Sequence, residues 1–240
     1  MKGRLRSLIG IELNEVSWRE KMVSTFGGMI AIMLLVKFTH EVLDLAGAAC
    51  VIASMGASAV LLFGVPHGQL SQPWPVLAGH GISACIGVVC QKCIPVEWDW
   101  LAAGLAVGLA IFAMHQLKCI HPPGGATALT AVLGGEGVRQ LGWSFVCFPV
   151  LTNSLIMLVI AVGFNWFFKW RRYPAALIQA QEPASARRRE EMVAPSHDDI
   201  LSALRSVDSF MDITEEDLIR LSGLIERSRN QRLSSLIERV

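Results

Sequence analysis

Apolar runs cover residues 22–39, 46–64, 76–94, 98–117, 126–134 and 145–168, with short polar breaks between them and almost no charge inside them. Four reach or approach the roughly 18–20 residues that cross a bilayer as a helix. The second does so only if its small and polar residues are accepted in the membrane, and the fifth is too short. A soluble helical core of this length would show charged faces every few residues, and these runs show none. The pattern predicts an all-α integral membrane bundle with four to six membrane segments, two of them short and either broken or re-entrant.

Charge and aromatic placement sharpen this picture. Only 17% of the 240 residues are charged, and they concentrate in 2–21 and 169–240. Trp98 and Trp100 open one run while Trp166 and Trp170 close another, as an aromatic belt would. Residues 1–21 carry Lys2, Arg4 and Arg6, but Glu12, Asn14, Glu15 and Arg19 interrupt any signal-like apolar region. A basic amphipathic interfacial segment is expected there. The matching basic flank Lys169, Arg171, Arg172 puts both termini in the cytoplasm by the positive-inside rule. His40, Glu41 and Asp44, with no Lys or Arg nearby, fit the outer face. A net charge of +1 gives no case for nucleic-acid binding.

The candidate chemistry centres on the break before the fifth run, His121-Pro122-Pro123-Gly124-Gly125-Ala126-Thr127. Two prolines remove two N–H donors and disfavour α geometry just upstream, and two glycines allow close backbone approach. Irregular backbone at membrane depth is tolerated only where protein buries it or it lines a cavity. A helix starting there would aim N–H groups and its positive dipole end into that cavity, favouring an anion. A second copy supports the idea: Gly56-Ala57-Ser58-Ala59 parallels Gly125-Ala126-Thr127-Ala128 at an offset of 69, which also links Gly68 to Gly137 and Trp74 to Trp143. Three crossings per copy would make an inverted three-plus-three repeat with a midplane site, whereas re-entrant short segments would leave four spanning helices.

Ionisable residues narrow the substrate. Lys37, His80, His115 and His121 fall in the apolar zone, with Lys118 at a boundary, and Glu41, Asp44, Glu97, Asp99 and Glu136 all stand at run ends or in loops rather than within a run's interior. Groups of this kind favour an anionic or small polar substrate over a cation. Lys37 reads as a side chain snorkelling to the interface, and Asn153 and Asn165 as hydrogen-bond glue between helices. Cys50, Cys85, Cys119 and Cys147 read as buried inert thiols. Cys90-x-x-Cys93 has metal or redox spacing, but it lacks a second pair.

Four motifs in order, Gly56-Ala-Ser-Ala-Val-Leu-Leu-Phe, Ser71-Gln-Pro-Trp, Gly79-His80 and His121-Pro-Pro-Gly-Gly-Ala-Thr-Ala, resemble the HPP family of integral membrane proteins over about residues 20–168. The resemblance implies a small bundle, usually described with four membrane helices, of a kind found in bacteria and plastids. It also implies nitrite transport, which some members are linked to. Some relatives carry a C-terminal pair of nucleotide-binding CBS modules, from which this chain departs, because its tail is too short and lacks the strands.

The expected organisation is a basic segment at 1–21, a transmembrane domain at 22–170, a linker at 171–195 and a helical cytoplasmic tail at 196–240. Ser196-x-x-Asp199 and Thr214-x-x-Asp217 have the form of helix-start capping boxes ahead of the tail's two amphipathic stretches. The function expected is passage of a small inorganic anion, nitrite or a related oxyanion, through a bacterial inner membrane. Its site would comprise Gly56, Ala57, Ser58, His80, His121, Gly124, Gly125, Ala126 and Thr127, with no cofactor. Backbone amides around Gly56–Ser58 and Gly124–Thr127 would replace the ion's water. The alternatives are an intramembrane metal enzyme built on His80, His115 and His121, or a sensor signalling through the tail. Self-association through the membrane domain or the tail stays open, as does the choice between channel and carrier.

Overall fold

Ser17-Trp18-Arg19-Glu20 starts the first helix as a capping box should, the Ser17 hydroxyl accepting the Glu20 N–H at 3.2 Å. The computed structural model describes residues 16–42 and 48–179. It is helical throughout, with no strand among the described residues. In chain order the helices are α1 (Trp18–Val42), α2 (Ala48–Ala59), α3 (Pro73–Cys93), α4 (Asp99–Gln116), α5 (Pro123–Leu133), α6 (Gly135–Leu141), α7 (Thr152–Trp166) and the short α8 (Ala176–Gln179). A π-helical turn, Val60–Gly64, extends α2, and an irregular π-helical segment holding Pro149, Val146–Leu151, leads into α7. Four stretches are long and apolar enough to cross a membrane: Trp18–Phe38, Pro73–Cys93, Val96–Gln116 and Val146–Trp166. Their outer faces carry bare apolar side chains such as Met33, Phe112 and Val159, each over 60% exposed, which suits lipid as solvent.

Residues 21–179 form one compact unit. Its axis is α3, against which α4, α5 and α7 all pack. Glycines set the closest approaches. A Cβ on Gly79 would lie 2.7 Å from the Cβ of His121, and one on Gly87 would lie 2.6 Å from the Cβ of Ala131. The same contacts fix direction: positions ascend together along α3 and α5, so these helices run parallel. Helix α4 runs the other way, since Trp74 Nε1 donates to the Leu117 carbonyl at 3.1 Å while Ser83 meets Met114 further along. Helix α7 is also antiparallel to α3, with Leu151 beside Gly81 and Tyr173 bonded to the Ser71 carbonyl.

The placement of α1 and α2 decides how the chain crosses. The end of α2 meets the start of α3, the Ser71 hydroxyl donating to the Leu61 carbonyl at 3.0 Å. The early part of α1 lies at the same end, where a Cβ on Gly27 would touch the rings of Phe63 and Phe164. Helix α5 has 11 residues, about 16 Å of rise against a hydrocarbon core of about 30 Å. Yet α6 carries the chain onward until Gly142 sits beside the Lys92 side chain, at the far end of α3. The chain therefore runs along the bundle six times in alternating directions, and α1–α3 correspond in inverted sense to α4, α5 and α7. The 65–72 loop and the segment around 134–142 lie at opposite ends of the bundle, as the inverted repeat requires and as re-entrant segments would not allow. Lys21, Lys118, Lys169, Arg171 and Arg172 belong to the end holding the 65–72 loop. Glu97, Asp99 and Glu136 belong to the other, together with Lys92 and Arg139.

The expected linker begins later than its composition indicates. Arg171 and Tyr173 are almost fully buried. The Arg171 guanidinium donates to the Asn165 Oδ1 at 3.1 Å, the Ser24 hydroxyl at 3.0 Å and the Phe63 carbonyl at 2.6 Å, gathering three helices at one end. Tyr173 donates its hydroxyl to the Ser71 carbonyl at 2.7 Å, and the Ala175 amide donates to Gln72 Oε1 at 3.0 Å. Burial pushes the Tyr173 hydroxyl upward from its ordinary range, so it remains a neutral donor. The bundle thus continues past 170. The expected capping boxes at Ser196 and Thr214, and the basic residues Lys2, Arg4 and Arg6, lie outside the described residues.

Candidate functional site

Ser58 from α2, His80 from α3, His121 from the turn ahead of α5 and Thr127 from α5 converge in the interior, each with 1% exposure or less. The Ser58 hydroxyl lies 2.8 Å from His80 Nε2 and 2.9 Å from His121 Nε2. Thr127 Oγ1 lies 2.7 Å from His80 Nδ1, and His121 Nδ1 lies 2.8 Å from the Leu70 carbonyl. The two rings meet edge to face with centroids 4.9 Å apart. Ser58 and Thr127 are repeat mates, 69 residues apart, and they hold the two nitrogens of a single imidazole.

Donor and acceptor roles follow from the Leu70 carbonyl; the Ser54 and Pro123 carbonyls, 3.3 Å from Ser58 Oγ and 3.4 Å from Thr127 Oγ1, are longer alternatives for the two hydroxyl hydrogens. A carbonyl only accepts, so His121 Nδ1 carries the hydrogen given to Leu70. With both imidazoles neutral, His121 Nε2 is then an acceptor and takes the Ser58 hydrogen. Ser58, its hydrogen committed, accepts from His80 Nε2–H, and His80 Nδ1 accepts from Thr127. The result is a chain with one polarity, running Thr127 to His80 to Ser58 to His121 to Leu70. Every ring nitrogen has a partner, which buried polar groups require.

Glycine and proline build the scaffold around this chain. Gly124 has no room for a side chain, since a Cβ there would lie 2.8 Å from the Ser83 hydroxyl and 2.9 Å from the Gly79 carbonyl. Together with Gly79 it presses α3 onto α5 and sets the spacing between the two histidines. At Gly56 and Gly125, by contrast, an added Cβ would meet nothing within 4 Å. Ala57 and Ala126 beside them are exposed.

The expectation of two helix N-termini supplying free amides needs correction. Gly56–Ser58 lie inside α2, where backbone N–H groups serve the helix itself. At the start of α5, Gly124 N–H is spent on the His121 carbonyl at 2.8 Å and Gly125 N–H on the Pro122 carbonyl at 3.0 Å. Pro122 and Pro123 have no N–H to offer. Side chains, not amides, are therefore the donors this site presents.

The histidine trio considered for a metal is not assembled. His115 is exposed on α4, away from the pair, and no group of three His, Cys, Asp or Glu is placed to hold a metal among the described residues. Cys90 and Cys119 are buried, Cys85 is half-buried and Cys93 is exposed, and Cys147, expected to be buried, is exposed ahead of α7; all five are free thiols. Lys37 is exposed on α1, and Asn165 joins α7 to Arg171.

The family model for the HPP transmembrane region matches residues 13–174, two thirds of the chain and all four site residues. The chain belongs to the HPP family. Two transmembrane proteins of Dictyostelium discoideum are similar to it. One is 38% identical over 178 residues, covering 72% of this chain and 54% of the relative. The other is 38% identical over 166 residues, covering 68% of this chain and 56% of the relative. This HPP protein thus spans about half the length of the relatives it matches. No solved structure matches it.

Two participants have no distinctive mark in the sequence, and a third has only one. The Leu70 carbonyl is backbone and could belong to any residue. Arg171 sits in a basic helix flank of the kind that marks the cytoplasmic side, and nothing local separates a buried arginine from a snorkelling one. Tyr173 is the only tyrosine in the chain, and that rarity is the one signal setting it apart.

Proposed function

We propose that this HPP protein passes a small anion, nitrite or a related oxyanion, across its membrane by way of Ser58, His80, His121 and Thr127. One observation carries the reading: two imidazole Nε2 atoms converge on a single hydroxyl, at 2.8 and 2.9 Å, where α2, α3 and α5 meet. No Asp or Glu occurs in α2, α3 or α5. An anion entering here finds N–H and O–H donors to replace its water, whereas a cation finds no carboxylate. The site is closed on itself, so the ligand must take over hydrogen bonds that the four side chains make to one another. Selectivity follows from that exchange, because a solute with no acceptor lone pairs cannot make it. Gly56, Ala57, Gly124, Gly125 and Ala126 are the small residues flanking the cluster, and in this proposal the anion approaches beside Gly56 and Gly125, where an added Cβ would meet nothing within 4 Å. The basic end of the bundle faces the cytoplasm in this reading, with both termini, in a bacterial inner membrane.

Purified protein in liposomes, assayed for flux over nitrite, nitrate, formate and chloride, tests the proposal. Protein-dependent passage of at least one oxyanion is expected. Preference for potassium or sodium over every anion in the panel would sink it.

A further inference from the structure

We infer that the anion travels with one proton, taken up on His121, so that transport of a monovalent ion is electrically neutral. This rests on the anion reading above and names its co-substrate. In the neutral chain the two Nε2 atoms that face each other across Ser58 are unlike: His80 donates and His121 accepts. An anion lodged between them meets one donor and one lone pair, and the lone pair repels it. A single proton added to His121 Nε2 removes that conflict. Its Nδ1–H stays on the Leu70 carbonyl, and the Ser58 hydrogen turns from His121 to the Ser54 carbonyl, which lies 3.3 Å from Ser58 Oγ. Two N–H donors, carrying one positive charge, then converge on the place held by the Ser58 oxygen, and the anion takes over those two hydrogen bonds. No other bond forms or breaks.

The surroundings make the coupling tight. Helices α2 and α5 contribute no charged side chain to the site. The other titratable or charged groups on the packed elements are Cys50 on α2, His67 in the loop, Cys85, Cys90, Lys92 and Cys93 on α3, His115 and Asp99 on α4, Lys118 and Cys119 after it, Cys147 ahead of α7, and beyond α7 Arg171 and Tyr173, a cation and a neutral hydroxyl held by Phe63 and Ser71. Asp99, Lys92, Cys93, His115, Lys118 and Cys147 are exposed, so none neutralises a charge on the pair. A buried imidazolium without a counterion is costly, as is a buried anion without a countercharge. The proton and the anion each relieve the other's cost, and they enter and leave together.

The test is nitrite titration of the purified full-length protein by calorimetry, in buffers of different ionisation enthalpy. One proton taken up per nitrite bound is expected. On the alkaline side the apparent Kd should then rise about tenfold per pH unit, since binding draws in one proton. In liposomes, nitrite flux above the protein-free background should not respond to a potassium–valinomycin membrane potential. Binding without proton uptake, or flux that follows the potential, would overturn the coupling while leaving anion transport standing. Absence of binding and flux for nitrite and every other oxyanion would remove the transport reading and this one with it. His121→Gln keeps a neutral group able to donate to Leu70 and accept from Ser58, but takes no proton. Proton uptake persisting in that variant would also overturn the assignment. Should it fail to fold, the buffer comparison on the native protein still decides.

Discussion

Gly79, Gly124 and Gly125 all lie where α3 meets the start of α5, yet a side chain would meet different surroundings at each. Adding a methyl at Gly79 or Gly124 drives it into His121 Cβ at 2.7 Å or the Gly79 carbonyl at 2.9 Å, and backbone cannot step aside cheaply. Gly79→Ala and Gly124→Ala should each cost about 1–3 kcal/mol and lower the melting temperature in detergent. Gly125→Ala meets nothing within 4 Å and should melt like the native protein. Equal melting of all three variants would show that α3 and α5 do not approach as described. At the same scale, Tyr173→Phe leaves the Ser71 carbonyl without its donor and should cost about 1–3 kcal/mol. His80, His121, Ser58 and Thr127 were legible in the sequence because each stands beside a Gly- or Pro-bearing break or its repeat mate. Their mutual bonding was not legible, because it depends on which helix faces meet. The free amides expected at Gly56 were misplaced for a physical reason: glycine, alanine and serine in a row are equally compatible with a break and with a closely packed helix interior.

Among the elements, the apolar runs foretold the helices closely, and the 69-residue offset foretold their pairing. Length alone left the short segments ambiguous between crossing and re-entering. The answer lay in tertiary contacts, Gly87 on Ala131 and Gly142 beside Lys92, which carry α5 and α6 along the length of α3. Trp74 and Trp143, repeat mates and both more than half exposed, then fall at opposite ends, one for each interface. Single cysteines at Gln69 and Gln140, both exposed, should report this in a background lacking the native six. An impermeant thiol reagent on intact cells should label the variant at 140 and spare the one at 69. Labelling of both would contradict the alternating path.

For the whole molecule, the bundle holds its own core in residues 21–179, but its end is stitched by residues that composition assigns to a linker. Truncation after Gln179 should leave melting and flux near native values. Truncation after Arg172 removes the Tyr173 and Ala175 bonds to the 65–72 loop, the loop whose Leu70 carbonyl fixes the His121 tautomer, and should lower both. Identical behaviour of the two truncations would show that the loop stands without that support. The central claim concerns the cluster itself, and nitrite flux in liposomes for Ser58→Ala and Thr127→Val, beside the native protein, tests it most directly. Each substitution removes one hydrogen-bonding hydroxyl at nearly constant volume. Loss of a hydrogen bond to a charged group, about 1.5–3 kcal/mol, predicts flux lower by about tenfold or more in folded, inserted protein. Native flux in both variants would place the anion's path elsewhere.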